Sequence, residues 1–89
     1  MKAPTIHLNG SDGEILADGY CEVSSAISEA LNAMAHAAPN GRDYYTQGPD
    51  AFTQANAEHQ EMIERLSVVQ RWAAGMAENI MDQVDKRSS

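Results

Sequence analysis

An all-α fold, an antiparallel hairpin of two long helices, is what this 89-residue sequence predicts. Three observations carry that expectation. Leu16, Tyr20, Val23, Ile27, Ala30 and Met34 step by three and four, with Leu31 widening the stripe. Phe52, Ala55, His59, Met62, Leu66, Val69, Ala73, Met76 and Ile80 do the same over a longer stretch. Between the stripes lies a turn-rich segment, Pro39-Asn40-Gly41-Arg42-Asp43-Tyr44-Tyr45-Thr46-Gln47-Gly48-Pro49. Steps of three and four keep side chains on one face of a helix, whereas a strand alternates by two.

Residues 1–11 follow neither period. Thr5 to Leu8 read as a short extended segment closed by Asn9-Gly10, either coil laid over a helix end or a strand paired with a second copy. Helix 1 is expected over 12–38. Its start is marked by Ser11-Asp12-Gly13-Glu14, a capping box with Ser11 as cap and Glu14 reaching back, and its end by Pro39, which pushes the preceding residue out of the helical region. The connection, 39–49, is expected to use positive φ at both Gly41 and Gly48. Helix 2 is expected over 50–86: Pro49 and Asp50 suit a helix start, and Lys86 and Arg87 complement the negative end. It should outreach helix 1 by roughly 15 Å at about 1.5 Å per residue.

One stripe per helix is a thin core for a chain of this size. The adjacent row Ile63, Ala77 and Val84, together with Trp72 flanking the seam, calls for cover. The expectation is a homodimer paired into a four-helix bundle, or a higher oligomer, with His59, Ile63 and Val84 at the interface. The alternative is a monomer whose helix 1 bends near Gly19. His59, the polar member of its stripe, is expected to hydrogen-bond one partner, Glu58 or a neighbour's Tyr20.

Composition narrows the function. Thirteen acidic against six basic residues give a net charge of −7, which opposes direct binding to a nucleic-acid backbone. Apolar runs are too short for a membrane span, and the N-terminus lacks the layout of a secretory signal. The single cysteine, Cys21, fits a reducing cytoplasm and reads as a semi-buried thiol. Glu14, Asp18 and Glu22 step by four into an acidic ridge, a solvated face or a mimic of nucleic-acid charge.

Neither His-x-x-x-His nor Glu-x-x-His occurs, so no metal is expected. Phosphate-loop, nucleophile-elbow and Cys/His motifs are missing as well. The expected protein is not an enzyme and carries no cofactor.

The chemistry that remains is gathered in the loop and at Trp72. Arg42 offers a planar fork for a carboxylate or phosphate, Asp43 can orient it, and Tyr44 and Tyr45 can stack or donate hydrogen bonds. Arg42, Asp43, Tyr44, Tyr45 and Trp72 are therefore the candidate residues for a ligand or partner, of the types favoured at contact hot spots.

Ile6-His7-Leu8-Asn9-Gly10, the loop motif Pro39-Asn40-Gly41-Arg42-Asp43-Tyr44-Tyr45, Gln47-Gly48-Pro49-Asp50-Ala51 and Glu58-His59 together resemble small helical proteins encoded in tailed-phage and prophage genomes. That resemblance covers most of the chain and implies a setting more than a mechanism: an accessory protein in the bacterial cytoplasm. By analogy with other phage proteins of this size, the leading expectation is a binding protein that inhibits or modulates a host protein. Two other readings stand beside it. One is sequestration of a phosphate- or nucleotide-bearing ligand by Arg42, Tyr44 and Tyr45; the other is acidic mimicry of nucleic acid.

Overall fold

The computed structural model describes residues 1–88, and among them it contains two α-helices, two short 3-10 turns and no strand. Helix α1 spans Gly13–His36 and helix α2 spans Ala51–Ser88. The 3-10 turns are Gly41–Asp43 and Tyr45–Gln47, both in the connection.

The cap of α1 is one residue later than expected. Asp12, not Ser11, has the extended backbone of a cap, and its carboxylate accepts from the Ile15 amide at 3.1 Å. That choice puts Ile15 at the third helical position, where a capping box needs Glu or Gln, so Glu14 is left in the first turn as a charge complementing the helix dipole. At the other end the Ala37 amide donates to the carbonyls of Ala33 and Met34. The helix stops two residues before the expected limit at 38. It is one continuous helix through Gly19.

The connection is built differently from a pair of glycine turns. Asn40 accepts from the Arg42 amide through its side chain at 2.9 Å, which starts the first 3-10 turn without a positive φ at Gly41. Gly48 does adopt φ 116°, and among the described residues it is the one position that does. After it, Asp50 accepts from the Gln54 amide and leads directly into α2.

The helices are antiparallel, with Gly13 beside Val84, Ser24 and Ser28 beside Gln70, and Met34 beside His59. At 38 residues against 24, α2 exceeds α1 by about 21 Å rather than 15. The surplus includes its first two turns, where Pro49 borders Phe52 and Tyr44 borders Ala55.

Residues 1–8 form a strap along the other end of α2. Gln83 holds it by its backbone: the side-chain carbonyl accepts from the Ile6 amide at 2.9 Å, and the side-chain amide donates to the Pro4 carbonyl at 2.9 Å. Arg87 donates to the Ile6 carbonyl at 2.7 Å. The chain then reverses, with Gly10 donating to His7, and enters α1. Of the two readings of this segment, coil over a helix end is the arrangement found, because Gln83 supplies the donor and acceptor a neighbouring strand would have supplied.

The buried apolar core among the described residues is Ala17, Ile27, Ala73, Met76, Ala77 and Ile80. Four of the six lie on α2 between 73 and 80, at the strapped end.

Candidate interaction surface

The seam between the two helices does not run along the middle of the first apolar stripe. Gln70 of α2 reaches across it to donate to the Ser24 carbonyl at 3.0 Å and to the Ser28 hydroxyl at 2.6 Å. Polar groups thus bridge the seam, while Val23 and Ala30, both in the predicted stripe, are turned toward one flank. On the same flank the rings of Tyr20 and Trp72 meet edge to face, with centroids 5.5 Å apart and planes at 84°. Such a contact adds about 0.5–1.5 kcal/mol beyond the area it buries.

That flank is apolar and open. Trp72 remains 45% exposed, Val69 43%, Val68 56% and Val23 39%. Ile63, a predicted interface residue, is half-buried on α2, and its carbonyl accepts from the Ser67 hydroxyl. Val84, predicted for the same interface, packs against Gly13 within the chain.

His59 has a different partner from those expected. Its Nε2 lies 2.7 Å from the Met34 carbonyl. A carbonyl can only accept, so the imidazole donates, and it does so in the last turn of α1, to a carbonyl that also accepts from the Ala37 amide. The residue therefore ties the end of α1 to α2.

The loop residues are splayed apart rather than gathered. Tyr44 is half-buried and lines a hollow with Met34, Ala55, Glu58, His59 and Met62. A second hollow, beside Gly41, Gly48, Pro49 and Phe52, takes in both Tyr44 and Tyr45. Tyr45 is 77% exposed. Arg42 lines neither hollow. Arg42 and Asp43 are both exposed, and among the described residues no ion pair joins them. The arginine fork and the two rings do not converge on one volume that a small ligand would fill.

On the outer side of α1, Asp18, Cys21, Glu22 and Glu29 border an acidic hollow. Cys21 is exposed rather than semi-buried, because it follows the charged side of the helix instead of its apolar stripe. Among the described residues no group of three or more His, Cys, Asp or Glu is placed to hold a metal ion, and no helix is long and apolar enough to cross a membrane.

Sequence reasoning missed Gln70 and Gln83. Each is a glutamine in or beside an otherwise apolar row of α2, and that interruption was the available signal.

What the geometry defines is a class: a strapped helical hairpin with one apolar flank left open. No family model, curated protein or solved structure matches the chain.

Proposed function

We propose that the chain is a non-enzymatic binding protein built to associate with itself: two hairpins pair into a four-helix bundle, which then engages a second protein through the loop and the outer helix faces. One observation carries the self-association. The chain exposes 6568 Å², whereas a compact monomer of 9.7 kDa exposes about 5,100 Å². The surplus, roughly 1,400 Å², goes with a rod-like shape: the radius of gyration is 19.2 Å against about 12 Å for a compact domain of this length. Burying about 800 Å² per copy, the usual share of a stable interface, removes more than half of that surplus.

The identity of the second protein rests on the sequence alone. The loop and its flanking motifs resemble small phage-encoded proteins, which makes a bacterial host factor, met in the cytoplasm, the target of choice. Its contacts are the residues the loop presents outward, Arg42, Asp43 and Tyr45.

Sedimentation equilibrium over a wide concentration range tests the assembly. The expected mass at high concentration is twice 9.7 kDa. A single-chain mass throughout overturns the proposal.

A further inference from the structure

We infer that the second copy seats on one stretch of the hairpin: the unstrapped half of its apolar flank, centred on Val23, Ala30, Val68, Val69 and Trp72, while each strap stays on its own chain. This rests on the reading of the protein as a self-associating hairpin and adds where the contact lies.

The strap itself marks the vacancy. Val69 and Met76 are one heptad apart and so occupy the same helical position, yet Val69 is 43% exposed and Met76 3%. Leu66, Ala73 and Ile80 also share a position; Leu66 is half-buried while the other two are fully covered. The Met1 sulfur sits against Gly75 and Ile6 against Gly13, so the strap serves as the third layer over 75–87. Among the described residues no such layer lies over 59–72.

The orientation of the stripes agrees. In a four-helix bundle the apolar side of each helix points at the bundle axis, between its two neighbours, rather than straight at either one. Here the Gln70–Ser28 bond lies at an exposed edge of the α1–α2 contact, Ile27, Met76 and Ile80 fill its interior, and Val23, Val69 and Trp72 stay exposed.

Charge selects a copy of the same chain as the occupant. Two molecules of net charge −7 repel unless their carboxylates are kept apart. Asp18, Glu22 and Glu29 line the acidic hollow on α1, while its row Tyr20, Val23, Ile27, Ala30 is uncharged. On α2 the charges in and beside the rows of Val68 and Trp72 are Glu58, Glu61, Glu64, Arg65 and Arg71, of which Glu61 and Arg65 pair at 2.7 Å. A flank that carries both signs can set the cations of one copy against carboxylates of the other across a two-fold axis. The 14 residues from 59 to 72 span about 21 Å, and a hairpin 20 Å wide then offers a footprint of roughly 420 Å² per copy, at the small end of what a specific contact uses.

Trp72, the one tryptophan of the chain, reports on the contact. Its emission is expected to shift to the red on dilution, in step with the fall in mass. Val69→Asp, at a position open to water in the monomer, is expected to raise the concentration of half-dissociation by about a hundredfold or more, since it buries an unpaired charge. Ser25→Asp, beside the acidic hollow, and Gln83→Ala, which loosens the strap, are expected to leave dimerisation in place. A wild type that is monomeric throughout leaves the flank to a different protein and overturns both the inference and the self-association beneath it. A dimer whose tryptophan emission ignores dilution, or one that survives Val69→Asp unchanged, places the contact elsewhere and overturns the inference alone. Loss of the dimer in Gln83→Ala but not in Val69→Asp makes the strap the exchanged element, and that also overturns it.

Discussion

Replacing Gly13 by alanine tests the packing on which the strapped end depends. Gly13 is buried in the first turn of α1. A Cβ placed there comes nearer to the Val84 Cγ2 than real Cβ atoms come to any neighbour, and lies 3.3 Å from the Ile6 Cγ2. Valine is branched at Cβ and stiff about χ1, so relief requires α1 to move away from α2 or the strap to lift. Overpacking of this kind costs about 1–3 kcal/mol. Against it stands the better helix propensity of alanine, at most about 1 kcal/mol and less in a first turn. A net loss of about 1–2 kcal/mol corresponds to a fall in Tm of roughly 5–15 °C for a chain of this size. Thermal unfolding followed by far-UV circular dichroism, at one fixed protein concentration, measures it. In Gly13→Ala/Val84→Ala the two losses should fail to add, by at least about 0.5 kcal/mol, because the smaller side chain makes room for the new methyl. A Gly13→Ala protein as stable as the wild type, or a double variant whose losses simply add, refutes the reasoning.

Gly19→Ala is the opposite case: no atom lies within 4 Å of the added Cβ, so the exposed mid-helix substitution should stabilise by about 0.5–1 kcal/mol, raising Tm in the same assay, and a lower Tm would refute this. Gln83→Ala removes both side-chain bonds to the strap backbone, each worth about 1 kcal/mol. Amide exchange at Ile6 should then run about five- to thirtyfold faster while exchange in the middle of α2 is unchanged; an Ile6 amide protected as before would mean that Gln83 does not hold the strap.

The helices were legible because their signals are local. A 3-4 stripe survives in any register, and Pro39, Gly48 and Pro49 punctuate the chain whatever lies around them. Ser11 and Asp12 are both good caps, and the decision between them turned on which carboxylate or hydroxyl reaches a particular amide, a matter of one residue that composition does not resolve. Gly41 was read as a positive-φ glycine because Asn-Gly pairs often are; Asn40 instead bonded the Arg42 amide and started a 3-10 turn. Partners across the hairpin were not legible. His59 bonds the Met34 carbonyl, 25 positions away, and Gln83 bonds residues 77 and 79 positions away. No periodicity encodes such pairs. The rotation of the α1 stripe away from the seam was hidden for the same reason: a helical wheel states which residues share a face but not what that face meets. Of the candidate site residues, Trp72 does lie on the open apolar flank, whereas Arg42 stays apart from the hollow that Tyr44 and Tyr45 share.

The clamp between Arg87 and Ile6 spans 81 positions, and it fixes an order of events in the cell. The strap is synthesised before its seat on α2, so the clamp cannot close until Gln83 and Arg87 have left the ribosome. The α1–α2 seam closes a loop about half as long, which makes its entropy of closure about 0.6 kcal/mol smaller. The hairpin therefore zips before it is strapped, and the surface around Gly75 and Gln83 that the strap covers stays wet during the interval. Aggregation during synthesis, if it occurs, is expected to start at that end of the rod, in a time window set by the translation of the last turns of α2.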